Sequence, residues 1–136
     1  MRINNGQLKF SATDLAKYLE CRHLTSLDLL AVRGQIDKPH WHDPAVAILE
    51  ERGLQHEAAY LAHLQDLGYD VAGGAMDGLD RTPRETECAM RAGAHVISQA
   101  NLEHGVWRGR ADVLLRVPVP SALGDWSYEV VDTKLV

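Results

Sequence analysis

The sequence predicts an α/β fold, a helical first half followed by a meander of three strands. Two observations carry that expectation. Helix start signals recur at Ser11, Thr25, Asp43 and Thr82, and the segments they open close on Gly34, Gly68 or Gly93. From His95 onward the chain changes to short runs rich in Val, Leu, Trp and Tyr, residues that favour a pleated, half-buried surface, with turn-rich stretches between them.

Each element has a local reason. Ser11 with Asp14 three residues on forms a capping box with Asp in place of Glu, and Leu15, Tyr18 and Leu19 follow as an apolar stripe. Thr25 and Asp28 repeat the signal. Asp43-Pro44 supplies an N-cap and a first-turn proline for a long helix reaching Gly68. Val46, Leu49, Gly53, His56, Tyr60 and Leu67 follow steps compatible with one face of it, which turns His56 inward. Tyr69-Asp-Val71 reads as a short strand, and Gly73-Gly74 as a loop. Thr82-Pro-Arg-Glu85 is a fuller capping box whose helix should end near Gly93. His95 to Leu102 is the first strand of the meander, Glu103-His-Gly105 its turn, Trp107 to Leu115 the second strand, and Tyr128 to Val136 the third.

Length and composition bound the function. A chain of 136 residues, 46% of them apolar, can bury one core but not two independent ones. No run of about 18 apolar residues and no secretory apolar region appear, so neither a membrane span nor export is indicated and the cytoplasm is the expected location. Cys21 and Cys88 make no disulfide framework and read as buried thiols. His40-Trp-His42 lacks companions at zinc spacing and reads as loop. A net charge of −5 argues against binding nucleic acid by bulk electrostatics. Even so, Arg108, Arg110 and Arg116 share strand parity with Asp112, which places positive charge beside that carboxylate.

Acidic residues inside strands need a chemical reason. Asp112 lies in Trp107-Arg-Gly-Arg-Ala-Asp-Val, while Asp132 and Lys134 lie in Tyr128-Glu-Val-Val-Asp-Thr-Lys. Alternation puts Asp132 and Lys134 on one face, in a row with Tyr128 and Val130. If the two strands pair as a hairpin with Arg116 opposite Tyr128, Asp112 falls opposite Asp132, and their Cβ atoms come about 5 Å apart. Two like charges at that separation repel by roughly 3 kcal/mol at an effective dielectric of about 20. A divalent cation, helped by Lys134, would relieve the conflict.

The pattern resembles the PD-(D/E)XK nuclease superfamily and, within it, the RecB-like branch. Arg52-Gly-Leu-Gln-His56-Glu57 is similar to that branch's helical Gly-x-x-His-Glu segment, and Ser11 to His23 looks like the opening of its members. The resemblance spans nearly the whole chain on few diagnostic residues. It implies a restriction-endonuclease-like core and a metal-dependent nuclease, an (exo)deoxyribonuclease acting in a setting such as DNA repair. Asp112, Asp132 and Lys134 would be catalytic, and His56, Asp112 and Asp132 would hold Mg²⁺ or Mn²⁺. Glu57, Glu129, Arg110 and the Val131 carbonyl are secondary candidates. It further implies that residues 1–136 form one incomplete nuclease domain, a helical N-terminal segment over 1–42 and a nuclease core over 43–136. The C-terminal helix and strand that relatives carry are missing after Val136, and adding them would make the sheet mixed. A fused or associated helicase domain is the implied partner. Some relatives hold an iron-sulfur cluster, for which Cys21 would supply one ligand, although a core thiol is the simpler reading. The alternative function is a non-catalytic nucleic-acid-binding or scaffolding module of a larger helicase/nuclease protein.

Overall fold

The computed structural model describes residues 1–39, 43–72 and 82–133. His40-Trp-His42, Gly73-Gly74 and Lys134 therefore lie outside the described residues. Among the described residues the chain is mixed α/β, with four helices, a two-stranded sheet and a four-stranded mixed sheet. It divides into two compact units, residues 1–42 with 103–109, and residues 43–102 with 110–136.

The first unit opens with an element missing from the sequence expectation. Strands β1 (Arg2–Asn4) and β2 (Gln7–Lys9) pair antiparallel, Arg2 opposite Lys9. The turn between them places Asn5 and Gly6 at φ 49° and 76°. Asn-Gly is the dipeptide that a two-residue turn with two left-handed positions prefers, so the signal was present in the sequence. Helix α1 (Ala12–Glu20) has the expected capping box: the Asp14 amide donates to Ser11 Oγ, and the Ser11 amide donates to Asp14 Oδ2 at 2.7 Å.

Helix α2 (Arg22–Val32) starts earlier than expected. Cys21 alone is extended, closes α1 and caps α2, so Thr25 is already helical and its amide donates to the Cys21 carbonyl. One extended residue is enough to separate two helices, which is why a cap signal at Thr25 goes unused. At the helix end Gly34 sits at φ 71°, where glycine lacks the Cβ penalty.

In the second unit, α3 (Pro44–Asp66) begins as expected, Asp43 accepting from the Ala45 amide at 2.9 Å. Gly68, at φ 86°, donates to the Gln65 carbonyl and Tyr69 to that of Leu64, the paired bonds that close a helix on a left-handed residue. Its buried face is not the expected one. Leu61 and Leu64 are buried and Gly53, Glu57 and Tyr60 half-buried, whereas Val46, Leu49, His56 and Leu67 are exposed. At 3.6 residues per turn, His56 lies roughly 85° around the axis from the middle of that face. Selecting residues at compatible steps followed apolar character along one side and missed that packing is confined to the C-terminal half.

Strand β3 (Val71–Ala72) pairs parallel with β4 (Val96–His104), and β5 (Trp107–Val117) pairs antiparallel with β6 (Ser127–Val131). The order β3-β4-β5-β6 contains the predicted meander, and the sheet is mixed through β3 without any further strand. Helix α4 (Pro83–Arg91) carries the expected capping box between Thr82 and Glu85. Leu61, Leu64, Val96 and Val113 form a core cluster on the α3 side, with Val71, Leu115 and Val131 packed against it. Ile97, Ala100, Ala111 and Leu114 form a second cluster with Ala89 and Met90 of α4 and with Tyr128.

Cys21 and Cys88 are both exposed, not buried. Cys21 occupies the corner between two helices, and Cys88 lies on α4 away from buried Thr86 and packed Ala89 and Met90. Among the described residues no helix is long and apolar enough to cross a membrane.

Candidate active site

The expected register between β5 and β6 is present. Arg116 is opposite Tyr128, and the ladder continues to Val113 opposite Val131. Pairing ends there, one step before Asp112 and Asp132. Asp132 is exposed and outside the strand, and the half-buried Asp112 carboxylate takes its partner from the next residue along. Thr133 donates to Asp112 Oδ2 twice, from its amide at 3.2 Å and from its hydroxyl at 3.3 Å. The chain after β6 therefore stays close to Asp112, but alternation from Val131 sets Thr133, not Asp132, on the side of the sheet that Asp112 occupies.

Asp112 reaches that side through an irregularity in β5. Ala111 and Leu114 both pack in the α4-side cluster, so the two residues between them turn the other way, and Val113 is indeed in the α3-side cluster. Two consecutive residues on one face break the period of two. This overturns the parity argument for Arg116, which lies beyond the break, and leaves it standing for Arg110, two residues before Asp112. Arg116 lies on the α4 side and donates to the Gly93 carbonyl at 2.7 Å, beside Trp126. Arg110 is exposed on β5, and Arg108 is half-buried among residues of the first unit.

Strand β4 shows the same irregularity. Ile97 and Ala100 share the α4-side cluster, and between them Gln99 stands at φ 49°, a left-handed conformation rare outside glycine and asparagine. Its side-chain amide donates to the carboxylate of Glu57 on α3. Glu57 is thus the residue of the His56-Glu57 pair that turns toward the sheet, while His56 is exposed. The expectation that His56 faces inward is corrected accordingly. Glu129 is exposed opposite Leu115. Sequence reasoning passed over Gln99 and Thr133, and no pattern of residue types singles out either one.

For a metal ion, the donors suit a hard divalent cation in kind: carboxylate oxygens on neighbouring elements. Mg²⁺ commonly takes only one or two carboxylates and completes its shell with water and phosphate oxygens. In number, no group of three or more His, Cys, Asp and Glu side chains among the described residues gathers closely enough to hold an ion. The donors fit in kind, while alternation sets Asp132, one step past the last β5–β6 pair, off the face that Asp112 occupies. No family model, curated protein or solved structure matches the chain.

Proposed function

We propose that the protein is a metal-dependent nuclease that hydrolyses phosphodiester bonds of DNA, with a restriction-endonuclease-like core of the RecB-like kind. The observation that carries the reading is the contact of Thr133 with Asp112, because it draws the Asp-Thr-Lys segment to the strand that bears the first acidic residue. Asp112 is the residue that would hold Mg²⁺ or Mn²⁺, and Asp132 would join it by turning, in the unpaired stretch after Val131, to the face that Asp112 occupies. When bound, such an ion lowers the pKa of water and neutralises charge on the phosphate. The two Thr133 hydrogen bonds orient the Asp112 carboxylate. Lys134, two residues on from Asp132 in the sequence, would act electrostatically, orienting the attacking water and offsetting charge developing on phosphorus. Glu57, which turns from α3 toward the sheet, is the candidate for the outer part of the site, and the exposed His56 is not.

The test is incubation of the intact protein with single- and double-stranded DNA, with Mn²⁺ and with a chelator. Metal-dependent cutting that disappears in Lys134→Ala supports the reading. No cutting under any metal condition, or cutting unaffected by the substitution, contradicts it.

A second reading is a non-catalytic nucleic-acid-binding or scaffolding module. The observation in its favour is the absence of a three-ligand cluster among the described residues. It predicts DNA binding that neither chelator nor Asp112→Asn changes.

A further inference from the structure

We infer that Gln99 is a positioning residue that presents Glu57 to the Asp112 site, an inference that rests on the nuclease reading above. The argument starts from register. The Arg116 amide donates to the His95 carbonyl at 2.9 Å, which fixes the antiparallel alignment of β4 and β5. Gln99 is four residues on from His95 and Asp112 four back from Arg116, so the two fall opposite each other. The turn confirms the same offset, since β4 ends at His104 and β5 begins at Trp107, each five residues farther along. Both strands break their alternation at this one position, and both breaks turn the pair toward α3. There Gln99 donates its amide to Glu57. Glu57, Gln99, Asp112 and Thr133 thus link α3, β4, β5 and the end of β6 in one row of neighbours.

A regular strand would direct residue 99 away from α3. The left-handed backbone at Gln99 is what reverses it, and glutamine is poorly suited to that conformation. Strain at a single residue that aims a polar group at a half-buried carboxylate, opposite a second carboxylate, is what a site residue accepts and a purely structural one does not. A neutral amide holds Glu57 in place without neutralising it. Held by that amide, Glu57 would act on water in the site and not on the ion directly.

The inference is tested on the intact protein with Gln99→Gly, which relieves the backbone and removes the amide, and with the exchanged pair Glu57→Gln with Gln99→Glu, which keeps a hydrogen bond but moves the carboxylate to β4. Gln99→Gly is expected to melt at or above the wild-type temperature while kcat falls about tenfold or more, the range typical of residues that orient others. KM and the calorimetric Mn²⁺ affinity should stay within about threefold, because the ion's own ligands are untouched. The exchanged pair should recover the melting temperature and not the turnover. Wild-type turnover in Gln99→Gly overturns the inference, as does a lowered melting temperature that accounts for the loss. Recovery of cutting in the exchanged pair also overturns it. A wild-type protein that does not cut at all overturns the nuclease reading and this inference together, whereas cutting by the wild type and by Gln99→Gly alike overturns this one alone.

Discussion

Tyr128 shows how a single side chain ties the candidate site to the fold. Its ring packs in the α4-side cluster, and its hydroxyl donates to the Ala94 carbonyl at 2.7 Å. Burial raises its pKa above the usual phenol value, an effect partly offset by Arg116. The folded chain therefore holds this proton more tightly than the unfolded chain. Stability is complete below the ordinary phenol range and falls as pH rises above about 10. Tyr128→Phe should lower stability by about 1 kcal/mol in urea unfolding and flatten that alkaline decline. Asp112 was legible as a candidate because a carboxylate in a Val- and Leu-rich strand contradicts local preference. The side of the sheet it occupies was not legible, since parity assumes an unbroken strand and β5 breaks its period at Asp112 and Val113.

At the scale of elements, helix α4 carries both of its boundaries in the sequence. Thr82 and Glu85 exchange hydrogen bonds at its start, and Gly93 at φ 75° closes it. Thr82→Ala should cost about 1 kcal/mol, read from the shift in denaturation midpoint. Gly93→Ala should cost about 1 kcal/mol or more, because the position is left-handed and the added Cβ would stand 3.3 Å from both Arg116 and Trp126. Capping chemistry is local, which is why Ser11, Asp43 and Thr82 were readable without the structure. The start of α2 was not: Cys21 offers no side-chain cap, and that boundary is set by one extended residue. The buried arc of α3 was equally hidden. It depends on where the sheet lies, and apolar residues such as Leu49 and Leu54 remain exposed at its flanks.

On the scale of the molecule, acid response separates the two units. In the first, Asp14 is buried, which by itself raises its pKa, but hydrogen bonds from the N-terminal ammonium and Ser11 outweigh burial and hold it low. Asp28 is likewise buried and held low by Lys38 and Lys17. Both carboxyls bind protons more weakly folded than unfolded, so their contribution is complete above about pH 4 and is lost as pH falls through their lowered folded range. Hydrogen exchange below about pH 4 should therefore quicken in α1 and α2 before it does in β4 and β5, and Asp28→Asn should remove much of that pH dependence. That residues 103–109 group with residues 1–42 was not legible in the sequence, because the tip of the β4–β5 hairpin belongs with the N-terminal helices and not with the rest of its strands.

Single-turnover cleavage of a labelled DNA duplex in Mn²⁺, comparing the intact wild-type protein with Asp112→Asn, reads the central claim most directly. The account predicts cutting by the wild type and a loss of about a hundredfold or more in the variant, with its melting temperature nearly unchanged. Equal rates in the two proteins would contradict it.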